Sequence, residues 1–151
     1  MPVPTPTDNI LSIVHPGQPA MREGDVRLGI GSYRDLRVWR KGMDLVVMTY
    51  TLTKRLPDDE RYGLTAQARR AAVSVPSNIA EGYGRWRLGD YLRFLGIANG
   101  SLKELETHVL IAERLELLTP DSAQPLLALS SDLGRMLLGL MRKLERSARS
   151  N

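Results

Sequence analysis

Residues 64–85 of the chain read LTAQARRAAVSVPSNIAEGYGR, and this stretch carries the clearest helical pattern of the sequence. Its apolar residues recur at intervals of three and four, which predicts an amphipathic helix that begins at about Thr65. The apolar positions are Ala68, Ala71, Ala72, Val75 and Ile79. The small alanines would allow a neighbouring helix to approach closely. Gly82 and Gly84 are predicted to end the helix, because glycine adopts the left-handed C-terminal conformation without a steric penalty.

A polar stripe runs along the same helix, beside its apolar face. Its members lie three or four residues apart and therefore share one side of the helix. They are Gln67, Arg70, Ser74, Asn78 and Glu81. Pro76 lies within the helix, where it removes one backbone hydrogen bond and bends the axis. The stripe is a buried hydrogen-bond network, a subunit contact or a ligand surface. The structural explanation is favoured, because such side chains satisfy backbone groups that a proline leaves free.

Three further helices are predicted from the same spacing of apolar residues. One covers about residues 36–56, another covers about 88–118, and the last begins at a Thr119 cap with Pro120 in its first turn. Four helices with short connections fold most simply as an antiparallel up-down four-helix bundle. The predicted fold class is therefore all-α.

Composition sets the boundaries of this domain. A chain of 151 residues suits one globular core. Five of the nine prolines fall in the first twenty residues, so residues 1–32 are predicted to be a flexible leader, 33–147 the bundle and 148–151 a tail. No stretch approaches the roughly 20 apolar residues of a membrane span, and none resembles a signal peptide. We therefore expect a cytoplasmic protein that makes no membrane contact.

The side chains available argue against catalysis. The chain has no cysteine, which excludes disulfides, thiolate nucleophiles and Cys-type metal sites. His108 is the single histidine of the predicted bundle, and its spacing from Glu104 does not match the Glu-x-x-His pairs of di-metal bundles. We expect no catalytic residue, no metal site and no cofactor.

The third and fourth helices carry more apolar residues than one core can bury. Exposed apolar patches of that size usually mark a contact with another chain. Candidate interface residues are Tyr91, Leu92, Leu95, Leu127, Leu138 and Met141. The sequence thus favours a homo-oligomer, and the alternative is a monomer with a wider core.

The basic residues point to an anionic partner. The chain has 21 Lys and Arg against 17 Asp and Glu, a net charge of +4. Several cations cluster near aromatic rings, an arrangement that can contact phosphates and stack on bases. Candidate nucleic-acid-binding residues are Arg69, Arg70, Arg85, Trp86, Arg87, Arg93, Arg142, Lys143 and Arg146. The alternative is a solvated surface whose arginines pair with Glu81 or Asp90, and the sequence leaves both open.

Three ordered blocks of sequence carry a resemblance to a known family. They are DLRVW at 35–39, the stretch 64–85 and GSLKELE at 100–106. Together they resemble the bacterial four-helix bundle proteins encoded in intervening sequences of 23S ribosomal RNA genes, also called S23 ribosomal protein-like. The resemblance implies a homopentamer around a central channel. Through the similar accessory proteins of diversity-generating retroelements, it also implies binding of nucleic acid and, where one is encoded nearby, of a reverse transcriptase.

The function predicted from these observations is a non-catalytic, self-assembling bundle that presents arginines to RNA or DNA. The alternative is a protein-interaction scaffold that does not bind nucleic acid.

Overall fold

The structure, a computed structural model, describes residues 31–150. Its α-helices are α1 (Arg37–Thr53), α2 (Leu64–Tyr83), α3 (Leu88–Arg114) and α4 (Pro120–Arg149). Two short 3-10 turns, Tyr33–Asp35 and Asp58–Glu60, precede α1 and α2. The prediction of an all-helical protein with four helices is confirmed. Residues 1–30, most of the predicted leader, lie outside the described residues.

The four helices form an antiparallel up-down bundle. Gly42 of α1 lies against Pro76 of α2, Gly82 of α2 lies against Tyr91 of α3, and Gly134 of α4 lies within reach of Leu102 of α3. Each helix packs on the next, and α1 packs on α4, which closes the bundle. Within residues 31–150, the diagonal helices α1 and α3 do not approach each other, and neither do α2 and α4.

The core consists mainly of leucine, alanine and valine, as the low aromatic content indicates. Tyr91 is the aromatic side chain of the described residues that is buried, at 3% exposure. Leu95 is also buried completely in the core of the chain. Tyr91 and Leu95 therefore are not available to another subunit, and their assignment to an oligomer interface is wrong: both belong to the buried core of the chain.

Gly82 and Gly84 do not end α2 in the way that the sequence predicts. The helix continues through Gly82 to Tyr83, and Gly84 has a φ of −73°, which is right-handed. A Cβ atom on Gly82 would lie 2.8 Å from Cβ of Phe94 and 2.9 Å from Cδ2 of Tyr91. Glycine is required at position 82 because α2 and α3 approach closely there, and not because of a left-handed turn.

The polar stripe of α2 joins this helix to α3. Ser74 Oγ and Ser101 Oγ are 2.8 Å apart, and Asn78 Nδ2 donates to Ser74 Oγ at 2.9 Å and to the Ser74 carbonyl at 2.8 Å. Ser101 is buried, so these bonds satisfy hydroxyls that have lost contact with water. Glu81, at the exposed end of the stripe, accepts from Arg85 instead. Pro76 is buried where α2 meets α1.

The third helix ends four residues earlier than predicted. Glu116 has a φ of 59°, and its N–H donates to the Glu113 carbonyl at 2.9 Å. The N–H of Leu117 donates back to the Ala112 carbonyl at 2.9 Å. These two bonds form a Schellman motif with a glutamate where glycine is usual. The apolar pattern continues through Leu118, which packs into the core, and for that reason it does not reveal the end of the helix.

The left-handed backbone at Glu116 leads to a stability prediction. An L-residue in this conformation costs about 1–2 kcal/mol, and glycine avoids that cost. Glu116 is exposed and makes no ion pair within residues 31–150, so Glu116→Gly is expected to raise the free energy of unfolding by about 1 kcal/mol. Chemical denaturation at fixed protein concentration measures this change. Glu113→Gly, in the last turn of α3, is the control and is expected to destabilise, because glycine there lowers helix propensity without relieving a left-handed conformation.

The start of the fourth helix is confirmed. Thr119 Oγ1 accepts from the Ser122 N–H at 3.2 Å, and Pro120 occupies the first turn. At its other end α4 continues to Arg149, two residues past the predicted domain end at 147. No helix within residues 31–150 is both long enough and apolar enough to cross a membrane.

Candidate nucleic-acid interface

Up-down packing brings the start of α1, the α2–α3 turn and the end of α4 to one end of the bundle. We call this the basic end and define it as residues 33–44, 74–100 and 136–149. It carries eleven Lys and Arg against five Asp and Glu, a net charge of +6. Residues 45–73 and 101–135 form the opposite half, with eight Lys and Arg against nine Asp and Glu, a net charge of −1. The charge of the protein is therefore concentrated at one end.

Most cations of the basic end have no carboxylate partner. Arg85 pairs with Glu81 at 2.7 Å, and Arg40 pairs with Asp35 at 3.4 Å. Among residues 31–150, no carboxylate lies within ion-pair distance of the other cations of this end. They are Arg34, Arg37, Lys41, Arg87, Arg93, Arg142, Lys143, Arg146 and Arg149. Internal pairing therefore neutralises only a minority of this charge.

Aromatic rings hold some of these arginines in place. The guanidinium of Arg85 lies 4.8 Å from the centre of the Phe94 ring, and that of Arg93 lies 5.9 Å from it. Cation–π contacts of this kind orient a guanidinium and leave its N–H groups able to bind an anion, which for Arg85 is the Glu81 carboxylate. Trp86, between Arg85 and Arg87 in the chain, is 43% exposed. The basic end thus combines oriented cations with a partly open indole ring.

Two tyrosines lie beneath this end of the bundle. The rings of Tyr83 and Tyr91 meet edge to face, with centroids 6.4 Å apart. Burial raises the pKa of Tyr83, and the negative charge of Asp35 raises it further. Burial also raises the pKa of Tyr91. Both phenols therefore remain neutral at physiological pH and add no negative charge to the basic end.

The structure divides the candidate nucleic-acid-binding residues between two places. Seven of them lie at the basic end: Arg85, Trp86, Arg87, Arg93, Arg142, Lys143 and Arg146. Arg69 and Arg70 lie instead on the first half of α2, more than about 20 Å along the helix from Arg85. The candidates predicted from the sequence do not include the cations of residues 34–41. The order of the helices is enough to predict these cations. In an up-down bundle the odd-numbered helices begin at the same end of the bundle at which the even-numbered helices end.

Exposed apolar side chains are found on α1 as well as on the expected pair of helices, α3 and α4. Of the remaining interface candidates, Leu138 is 42% exposed, whereas Leu92, Leu127 and Met141 are half-buried against the core. We define an α1 patch, Met43 and Val47, and an α3 patch, Leu110, Ile111 and Leu115. These side chains are between 40% and 66% exposed. The sequence does not reveal the α1 patch, because Met43 and Val47 fit the helical spacing of apolar residues that predicts a buried face.

No cluster of metal-ligating side chains is found in the part of the chain that the structure describes. Residues 31–150 contain no group of three or more His, Asp or Glu side chains that could hold a metal ion. His108 Nε2 lies 3.5 Å from Glu104 Oε1, and its side chain is 18% exposed. This contact joins two neighbouring turns of α3 and brings no third ligand.

Comparison with known proteins gives a family. The sequence profile described as "23S rRNA-intervening sequence protein" matches residues 34–139. The chain belongs to this family. The match covers α1, α2, α3 and two thirds of α4, so it includes the basic end except for the last turns of α4.

A solved structure supports the fold of this 23S rRNA-intervening sequence protein. The solved structure is that of a protein of unknown function of the S23 ribosomal protein family from Bacteroides thetaiotaomicron. The similarity has a TM-score of 0.64 at 22% sequence identity and covers 69% of this chain and 97% of the other. No curated protein matches the chain. The family and the fold are thus established, and neither comparison assigns an activity.

Proposed function

We propose that this family member is a non-catalytic, self-associating four-helix bundle that binds RNA or DNA through its basic end. The observation that carries the proposal is the excess of eleven cations over five anions at one end, most of them without a carboxylate partner in residues 31–150. Phosphate backbones bind such surfaces because each contact releases condensed counterions. Arginine is suited to this task, since its planar guanidinium matches the geometry of a phosphate.

Self-association follows from the two apolar patches. A cyclic ring needs two different surfaces on each subunit, because every interface joins one patch to the other. The α1 and α3 patches lie on diagonal helices of the bundle and therefore face different sides. A pentamer, which the family resemblance implies, would bring together five basic ends with a combined charge of about +30 if its axis follows the helices. Such a field would attract a polyanion far more strongly than one subunit does.

Single charge insertions test the assembly. Val47→Glu and Leu115→Glu each place a carboxylate in one patch at a side chain that is more than half exposed, so the fold should tolerate both. We expect the wild type to form a closed oligomer and each variant to be a monomer by size exclusion with light scattering. An equimolar mixture of the variants should form a heterodimer, because each contributes one intact patch. A monomeric wild type at micromolar concentration would contradict self-association.

Charge removal tests nucleic-acid binding. A variant with alanine at Arg87, Arg142, Lys143 and Arg146 removes four exposed cations from the basic end. Its matched control removes four from the opposite half: Lys54, Arg55, Arg114 and Arg135. With a fluorescent 20-nucleotide RNA or DNA, we expect affinity to fall at least ~10-fold for the first variant. The slope of log K against log salt should become shallower by about 3, or 0.7–0.9 per lost phosphate contact.

The matched control should change affinity less than about twofold, because its cations lie in a half without net positive charge. Equal losses in both variants would mean that binding depends on total charge and not on the basic end. Absence of binding by the wild type at low salt, with assembly intact, would leave the scaffold function. In that case a reverse transcriptase encoded beside the gene is the first protein partner to test.

A further inference from the structure

A groove on the α1–α2 side of the bundle lies apart from the basic end. It has a volume of about 520 Å³ and is formed by α1, the loop before α2 and the first turns of α2. Its lining residues are Tyr50, Arg61, Tyr62, Thr65, Ala66, Arg69, Arg70 and Val73. Three guanidinium groups and two phenol rings thus surround one concave surface. Neither the fold nor the proposed basic end accounts for this combination.

The aromatic part of the groove is open. Tyr62 is 86% exposed and Tyr50 is 41% exposed, although large apolar rings are costly to leave in water. The guanidinium of Arg61 lies 5.7 Å from the centre of the Tyr62 ring, so it covers at most one face of that ring. The other face is available to a planar group. The exposed ring of Tyr62 contributes little to the core, so core packing does not explain why a tyrosine occupies this position.

One cation of the groove, Arg69, is held in place, and all three of its cations are without a carboxylate partner in the described residues. Arg69 Nε donates to Thr53 Oγ1 at 2.9 Å, and its guanidinium lies 4.4 Å from the centre of the Tyr50 ring. Within residues 31–150, no carboxylate lies within ion-pair distance of Arg61, Arg69 or Arg70. The adjacent carboxylate of Glu60 is used elsewhere, since its Oε2 accepts from the Leu64 N–H at 2.9 Å and caps α2.

We propose that this groove binds a nucleotide, with its base on the open face of Tyr62 and its phosphate between Arg61 and Arg70. Aromatic rings beside guanidinium groups are the arrangement that holds nucleotides of single strands. An inorganic anion would not need the rings, and an apolar ligand would not need three cations. An acidic peptide would use the cations and leave Tyr62 exposed. The combination therefore selects a planar group joined to an anion.

The test uses adenosine monophosphate and an eight-nucleotide single strand as separate probes, measured by calorimetry. Tyr62→Ala should weaken binding by roughly 10- to 100-fold, the effect of removing one stacked base. Tyr62→Phe retains the ring and should bind like the wild type. Gln124→Ala, a substitution of an exposed side chain of α4 outside the groove, the basic end and both apolar patches, is the control. Binding of the monophosphate identifies a site for free nucleotides, whereas binding of the strand alone identifies a unit of a polymer.

The result separates this inference from the proposed function. The nucleotide site is wrong if Tyr62→Ala leaves the binding of both probes unchanged. It is also wrong if polyglutamate displaces the probes from Tyr62→Ala as easily as it displaces them from the wild type. The quadruple alanine variant of the basic end should still bind the monophosphate, since none of its four residues lines the groove: Arg87 follows the end of α2 and the other three lie near the end of α4. Loss of long-strand binding in that variant, with the monophosphate bound normally, would support both sites independently.

Discussion

Gly82→Ala is expected to lower the free energy of unfolding by about 2 kcal/mol, although alanine is the better helix former. The new Cβ would lie 2.8 Å from Cβ of Phe94, 2.9 Å from Cδ2 of Tyr91 and 3.3 Å from the Tyr91 carbonyl oxygen. None of these atoms is at the far end of a flexible side chain. Tyr91 is 3% exposed and its ring cannot swing into solvent, so α2 and α3 must move apart.

Gly96→Ala is the matched control for this prediction. Gly96 also lies within a helix, but it is exposed and a Cβ at this position would meet no atom within 4 Å. Alanine there should raise the free energy of unfolding by about 0.5–1 kcal/mol, because it restricts the unfolded chain and favours helix. Chemical denaturation of both variants at one fixed protein concentration measures the two changes in the free energy of unfolding. The concentration must be the same because self-association makes the midpoint depend on it. Stabilisation by Gly82→Ala would show that the helices are not closely packed at this point.

Leu102→Ala is expected to destabilise the bundle by about 2–5 kcal/mol. Leu102 is fully buried near the middle of α3, and its Cδ1 lies 3.9 Å from the position that a Cβ on Gly134 would occupy. Truncation leaves a cavity that the helices cannot close without losing contacts elsewhere. Leu138→Ala removes the same atoms from a side chain of α4 that is 42% exposed and belongs to neither apolar patch, and it should cost less than about 1 kcal/mol.

The position of Gly134 supplies a second check on this packing. A Cβ there would make ordinary contacts of 3.6 Å with Asn99 Oδ1 and 3.9 Å with Leu102. Gly134→Ala should therefore stabilise the wild type slightly and the Leu102→Ala variant more, because its methyl group fills part of the cavity. A double-mutant cycle measures the difference. Strict additivity of the two changes would mean that α3 and α4 do not share this part of the core.

The helices themselves were predictable because the information that creates them is local. Apolar spacing of three and four, Pro57 after α1, and Thr119 with Pro120 before α4 all act within a few residues. The end of α3 was not predictable in this way. Leu117 and Leu118 continue the apolar pattern because they pack on the bundle, and the left-handed residue is Glu116, where the sequence has no glycine to mark it.

The candidate sites were predicted only in part, because exposure depends on which helices become neighbours. Tyr91 and Leu95 belong to a surplus of apolar residues on α3, yet they face the core, whereas Met43 and Val47 of α1 remain exposed. Likewise, Arg69 and Arg85 lie on or beside the same helix but at opposite ends of the bundle. The spacing of residues along one helix does not contain this information.

The sequence by itself determined the helical class, the number of helices and the family of this protein, since periodicity and the three ordered blocks are properties of consecutive residues. Only the tertiary structure decided why residues 64–85 end as they do, with Gly82 serving the contact with α3 instead of a turn. It also gathered the positive charge of distant segments at one end and placed Tyr50 of α1, Tyr62 and Arg70 around one groove. The physical reason is that packing and electrostatic fields depend on distances through space, which the antiparallel order of the helices creates.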